Sequence, residues 1–404
     1  MSKRTLINLQ NLTKEELINL LFEKCPSSSE LFVNEMDKKP VIKKKERVER
    51  AFDPSAYESR MVALKVAYFG FKYQGFASQM GLLNIFNGTS ANQNTADTVE
   101  DHLFRAMIRT RLILDPAACN YNRCGRTDAG VSSTGQVVAL RLRTSNQKAA
   151  ESKSFFEGID YVNVINKQLP DDIRILDWAF VPDDFSARFS CSARLYHYYF
   201  SKTHYDSISR SVVILDIEKM QEAAKLLVGV HDFRNFCKRD PSKPDQTFTR
   251  EILECFIEEA GSTSGFYKFV CKGSAFLYHQ IRCIMAILFM IGMGKEPVDL
   301  VKLMLDKIEP KKRFEGPAGP LVHYEIASGI PLTLHGCFYD KPGSSPIEWA
   351  QNNRGSNTTL SSHLVRLWES KQAEAMVICG LIDFDVPNND LNESSTLFKK
   401  FKDI

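Results

Sequence analysis

No apolar run in this chain is long enough to cross a bilayer. The longest, Ile284 to Met293, is about half of the roughly 20 residues a spanning helix needs. The first ten residues lack the unbroken apolar core of a secretory leader, since Lys3 and Arg4 sit among Asn8 and Gln10. These two absences point to a chain that stays inside the cell, in nucleus or cytoplasm, away from membranes. Cysteine is sparse: ten thiols at irregular spacing in 404 residues read as reduced side chains rather than a disulfide framework. Net charge is small, +3 from 52 basic and 49 acidic side chains, so any nucleic-acid surface must come from patterning. A phosphate-cradling glycine loop, a dinucleotide fingerprint and an HExxH helix are all missing. Nucleotide hydrolysis, redox chemistry and zinc proteolysis therefore lose their best sequence support.

What is present is an ordinary globular composition, with 44% hydrophobic, 11% aromatic and 25% charged residues, which excludes fibrous, wholly disordered and small disulfide-stapled classes. Thr13 to Glu16 is a capping-box pattern ahead of Leu17, Ile18, Leu20 and Leu21, so a short amphipathic helix is expected there. A basic run follows: Lys38, Lys39, Lys43, Lys44, Lys45, Arg47 and Arg50 against Glu46 and Glu49. It reads either as a phosphate-touching arm, as an import signal or as a solvated linker.

The folded body starts at Met61 to Phe69, where Val62, Leu64, Val66 and Tyr68 share one parity, as in a strand with one buried face. Helices are expected over residues 95–109, 155–169, 217–230 and 275–293, and strands over 137–142, 173–181, 194–200, 250–257 and 267–272. Gly81 to Asn94 reads as a loop. Strands and helices interleave, and the strands alternate in residue type, which favours mixed or antiparallel sheets in an α+β fold over a parallel doubly wound one. The expected organisation is a helix and basic linker over 1–58, a first lobe over 59–202, a second over 203–348, and a polar extension over 349–404.

The segment with the most chemistry is Arg123-Cys-Gly-Arg-Thr-Asp-Ala-Gly-Val131, a tight glycine-bounded loop just before a strand. From spacing alone Asp128 is either a backbone-bonding turn former or a catalytic carboxylate. Tyr196, on an alternating strand, reads more readily as core than as catalyst, and Arg282 as a helix-terminal charge or salt bridge or a site residue. Arg188 and Arg194, with Lys238, Arg239 and Lys243, read as phosphate contacts or as plain surface.

Cys124-Gly-Arg-Thr-Asp-Ala-Gly-Val131 resembles the catalytic-aspartate motif of the tRNA pseudouridine synthase A (TruA) family. Further pieces follow in that family's order: Ser186-Ala-Arg-Phe-Ser190 through Ala193-Arg-Leu-Tyr-His-Tyr198, then Gly273-Ser-Ala-Phe-Leu-Tyr-His-Gln-Ile-Arg282, then Pro331-Leu-Thr-Leu334. They cover roughly Val62 to Tyr339. His231-Asp-Phe-Arg-Asn-Phe-Cys-Lys-Arg-Asp240 is most similar to the eukaryotic branch acting on tRNA positions 38 and 39. Ser132-Ser133 and His197 depart from the His-Ala and Arg of many bacterial members.

The resemblance implies a two-lobed pseudouridine synthase fold with a cleft between the lobes, a tRNA substrate and a homodimer. It implies that Asp128 acts on the ribose of a target uridine, Arg282 pairs with it as a two-pronged counter-ion, and Tyr196 lies against the base. Leu332 would supply an apolar wall, and Arg126 would fill the space left by the flipped nucleotide. Arg188 and Arg194 would meet the RNA. No cofactor is expected, because an internal glycosidic rearrangement needs no redox partner. The rivals are a synthase with other RNA targets, a non-catalytic tRNA-binding protein, and a metal-dependent nucleic-acid enzyme using Cys119, Cys124 and Asp128.

Overall fold

A computed structural model describes residues 57–78, 97–145, 158–206, 211–239, 245–261, 265–306, 324–341, 346–350, 365–374 and 377. The expected N-terminal helix, the basic run and the Gly81 to Asn94 loop lie outside the described residues. In chain order the elements are β1 (Ser59–Tyr68), α1 (Val99–Arg109), β2 (Asn122–Arg123), β3 (Ser132–Arg143), α2 (Tyr161–Asn166), β4 (Ile173–Phe180) and β5 (Ala193–Ser201). A small hairpin of β6 (Thr203–Asp206) and β7 (Ser211–Ile214) comes next, then α3 (Ile217–Lys225), β8 (Gly229–Asp232), β9 (Thr249–Glu259) and β10 (Phe266–Gly273). The chain continues through α4 (Gln280–Gly292) and α5 (Leu300–Leu305) to β11 (Leu332–Phe338); residues 365–374 are helical.

Nine strands form one mixed sheet in the order β4-β1-β3-β11-β5-β10-β9-β8, with β2 paired to β3. β11 runs parallel to β3 and antiparallel to β5, so the last strand joins the two halves of the sheet. The class is α+β, as expected.

Two apolar cores lie along this sheet. Val62, Leu64, Val66 and Tyr68 of β1 pack with Val99, Leu103 and Met107 of α1 and with Leu140 and Leu142 of β3. Tyr198, Phe269, Ile284, Leu288, Phe233 and Val301 belong to the other, beneath α3, α4 and α5. A smaller cluster holds Met61, Ala63, Cys124, Val137, Ala139, Ala187 and Cys191. Met61 and Ala63 have the opposite parity to Val62 and Leu64, so β1 buries both faces rather than the one expected. Among the described residues no helix is long and apolar enough to cross a membrane.

Several helices are shorter than periodicity suggests. α1 starts at Val99 rather than 95, because Thr98 is extended and its hydroxyl accepts from the Asp101 N–H as the N-cap. α2 starts only at Tyr161, behind the Asp160 cap. α3 stops at Lys225 rather than 230, and Gly229, at φ 113°, turns the chain into β8. α4 begins at Gln280 rather than 275, because His279 takes a left-handed backbone conformation. β3 begins at Ser132, five residues before the apolar run, where the chain meets β11.

Candidate active site

The Asp128 loop leaves β2 and re-enters the sheet at β3, and it is fastened from both sides. The Tyr68 hydroxyl and Thr127 Oγ1 are 2.7 Å apart, the Thr127 carbonyl accepts from the Phe76 N–H, and the Gly130 N–H donates to the Tyr73 carbonyl. Gly130 sits at φ 79°, a conformation that favours glycine, and lets the Val131 N–H return to the Asp128 carbonyl at 3.2 Å. Gln136, fully buried, holds the start of the loop: its Oε1 accepts from the Gly125 N–H at 3.2 Å and its Nε2 donates to the Gly125 carbonyl at 2.8 Å.

Opposite this loop stand the start of α4 and the segment before β11. Arg282 Nη1 lies 3.7 Å from Asp128 Oδ2, and His279 Nε2 lies 3.4 Å from the same oxygen. The Asp128 side chain is 22% exposed, Arg282 15% and His279 10%. The expected two-pronged pairing of Arg282 with Asp128 is not what forms. One prong reaches Asp128, while Nε donates to the Ala327 carbonyl at 2.7 Å, because the segment before β11 passes beside the guanidinium. Burial pushes the Asp128 carboxyl above its ordinary range, opposed by the neighbouring His279, Arg282 and Arg126 side chains. The site thus balances desolvation of a carboxylate against nearby cations.

The other expected residues each have their own surroundings. Tyr196, on β5, is partly buried and meets the Phe276 ring edge-on at 5.1 Å. Burial, with the Cys337, Cys124 and Tyr68 side chains nearby, pushes its hydroxyl well above its usual pKa, so it stays a phenol. Leu332, at the start of β11, is buried in the same core as Val131 and lies opposite Tyr198 in the strand register, with Leu334 opposite Tyr196. Arg126 is exposed on the Asp128 loop. Arg188 is exposed, with its guanidinium over the Phe189 ring at 5.3 Å. Arg194 is committed to the backbone, donating to the carbonyls of Ser274 and Arg188 at 2.7 Å each and of Cys124 at 3.5 Å. It ties three segments around the site together.

Cys119 and Cys124, the pair with approximate metal-ligand spacing, lie in different cores. Cys124 clusters instead with Cys191, and Cys337 packs against them; all three are free thiols. The departures from the bacterial motif also have structural places. Ser132 Oγ accepts from the Gly70 N–H at 3.0 Å, and the Ser133 hydroxyl donates to the Leu334 carbonyl at 2.7 Å, fixing β3 to its neighbours. His197, on the strand face opposite Tyr196 and Tyr198, stacks on His335 at 4.0 Å, and burial lowers its pKa to about 4.

Sequence reasoning did not single out His279 or Gln136. His279 lies inside the quoted motif three residues before Arg282, one helical turn away, which is the signal that would have found it. Gln136 has no such signal, since its value comes from an acceptor and a donor eleven residues back.

A half-buried carboxylate thus faces a guanidinium on a loop that feeds the middle of a mixed sheet. The profile of the family described as tRNA pseudouridine synthase matches residues 223–340. The human tRNA pseudouridine(38/39) synthase is 37% identical over 83% of this chain and 66% of its own length. The Saccharomyces cerevisiae protein of that name is 34% identical over 95% of this chain and 83% of its own length. The tRNA pseudouridine synthase A of Methanosarcina mazei is 32% identical over 72% of this chain and 88% of its own. The chain belongs to the tRNA pseudouridine synthase family, and it spans 65–66% of the length of the mammalian relatives it matches.

Proposed function

We propose that the protein isomerises uridine to pseudouridine in tRNA, at positions 38 and 39 beside the anticodon. The observation that carries this reading is the half-buried Asp128 carboxylate, held within 4 Å of Arg282 and His279 on a loop with the family's sequence. Support for the target positions comes from the names of the human and yeast relatives.

Uridine and pseudouridine have the same atoms. The bond from the base nitrogen N1 to ribose C1′ breaks, a bond from base carbon C5 to C1′ forms, and a proton on C5 is exchanged for one on N1. No oxidant, reductant or co-substrate enters that balance. Asp128, acting on the ribose as nucleophile or base, must be ionised to do so, and Arg282 is the cation that keeps it ionised despite burial. Tyr196, a phenol at neutral pH, lies against the base with Leu332 as the apolar wall. Arg126, exposed on the same loop, enters the gap left by the extruded nucleotide, offsetting a few kcal/mol of lost stacking. Arg188 meets phosphate.

The same reading includes a homodimer, supported by the exposed apolar side chains Tyr205, Val212 and Ile214 of the β6–β7 hairpin. It includes two lobes, 59–202 and 203–348, each with its own apolar core, Val131, Tyr198 and Phe200 of the first packing into the core of the second, and a working place inside the cell, where tRNA is. Incubating the purified protein with unmodified tRNA transcripts and mapping pseudouridine at nucleotide resolution tests it. Modification at 38 and 39 is the expected result. Binding without any pseudouridine would overturn the catalytic reading, and modification elsewhere would overturn the target positions.

A further inference from the structure

His279 is a non-glycine residue at φ 62° that starts α4 without using its side chain as a cap. The left-handed region is costly for most residues, and His is among those that enter it more readily. What the conformation achieves is visible in the side chain. The imidazole reaches the Asp128 loop, where Nε2 stands 3.4 Å from Asp128 Oδ2. The ring is pinned there by stacking on Tyr278, centroid to centroid 3.7 Å. Gln280 fixes the turn from the other side, its Oε1 accepting from the Leu277 N–H at 2.7 Å.

The other ring nitrogen decides the protonation state. Nδ1 is buried and has no hydrogen-bond partner among the described residues. A neutral imidazole with its proton on Nε2 leaves only a lone pair at Nδ1, whereas an imidazolium would bury an N–H with no acceptor. Burial lowers the His279 pKa, and the Arg282 and Lys238 charges lower it further, against the opposing pull of Asp128. The charged groups around the ring are thus Asp128 on the loop before β3, Arg282 on α4, and Lys238, whose N–H donates to the Tyr278 carbonyl; Arg126 acts on Asp128 from the same loop.

We propose that His279 is a positioning residue for Asp128: its Nε2, 3.4 Å from Oδ2 and beyond ordinary hydrogen-bond length, orients the carboxylate as a neutral N–H dipole on that side and leaves the other oxygen to meet the ribose. The division of labour with Arg282 is then chemical. Arg282 supplies charge, and His279 supplies direction without adding a second full cation that would draw Asp128 into an unreactive ion pair. Because both contacts use Oδ2, the second oxygen can engage substrate without breaking either. The inference rests on the catalytic reading of Asp128 given above.

Two substitutions separate this role from a backbone one. Asn accepts the left-handed conformation as well as His does, but it is too short to reach Asp128. Gln keeps a donor at the distance of Nε2. A residue needed only for its backbone predicts His279→Asn near wild type and His279→Gln impaired. The positioning role predicts the reverse order, with His279→Asn slowing single-turnover conversion roughly ten- to hundredfold at unchanged tRNA affinity. The acid limb of its pH–rate profile should also move to higher pH, because the ionised carboxylate has lost the N–H dipole beside it. Titration of the Asp128 carboxyl by carbon-13 NMR, in wild type and in His279→Asn without RNA, reads the same contact independently of activity. An upward shift supports the proposal even for a chain that proves inactive on tRNA. An unmoved Asp128 titration in folded His279→Asn overturns it.

Discussion

Arg282 and Ala327 hold each other by both backbone and side chain: the Ala327 N–H donates to the Arg282 carbonyl at 3.2 Å, and Arg282 Nε donates to the Ala327 carbonyl at 2.7 Å. Through this pair the segment before β11 sets the direction of the guanidinium that faces Asp128. Arg282→Lys keeps the charge but has no second donor at the position of Nε. We expect the single-turnover rate to fall at least 100-fold, with a stability loss of about 1 kcal/mol from the lost hydrogen bond. Rapid-quench kinetics and a denaturant titration check it, and a near-normal rate in a folded Arg282→Lys protein would remove Arg282 from the chemistry.

Asp128→Asn should fold, bind tRNA at least as tightly as wild type and form no pseudouridine, since a carboxamide is neither nucleophile nor base. The folded-state pKa of Asp128 lies above its ordinary value, so its contribution to stability is greatest at acid pH and declines as pH rises through that folded value. At neutral pH the ionised group therefore costs stability. Asp128→Asn should melt at or above the wild-type temperature at pH 7, with the difference shrinking toward acid pH. A lower melting temperature at pH 7 would show that the cations outweigh burial.

Gln136→Leu removes the side chain that pairs both backbone groups of Gly125. Leaving them unpaired in a partly buried loop should cost roughly 1–3 kcal/mol each way they fail to find water. The catalytic rate should fall while tRNA affinity, carried by dispersed phosphate contacts, stays close to wild type. Parallel loss of affinity would mean that the loop itself grips the RNA.

Arg188 and Arg194, six residues apart, should behave in opposite ways. Arg188, exposed, should on replacement by Ala weaken tRNA binding and reduce the salt slope by about one, with unchanged stability. Arg194→Ala loses its bonds to Ser274 and Arg188 and should lower the melting temperature, with little change in salt slope. Salt-dependent binding and calorimetry on both variants separate the two roles, and a reduced slope for Arg194→Ala would place its guanidinium on phosphate instead.

Residue order alone established the α+β class, most strand positions and the Asp128 loop, because side-chain parity, turn glycines and a contiguous motif are local properties. It also placed the Asp128 and Arg282 motifs, though 154 positions apart in sequence, in one expected site through resemblance. Tertiary structure alone decided three things. β11 enters between β3 and β5, a pairing that no local period encodes. Arg282 divides its donors between Asp128 and Ala327, which depends on how closely two distant segments pass. His279 ends the apolar periodicity that suggested a helix from 275 by turning left-handed, and its imidazole thereby reaches Asp128. A helical pattern reports where apolar side chains recur, whereas a backbone conformation of this kind is decided by the contacts it makes across the fold.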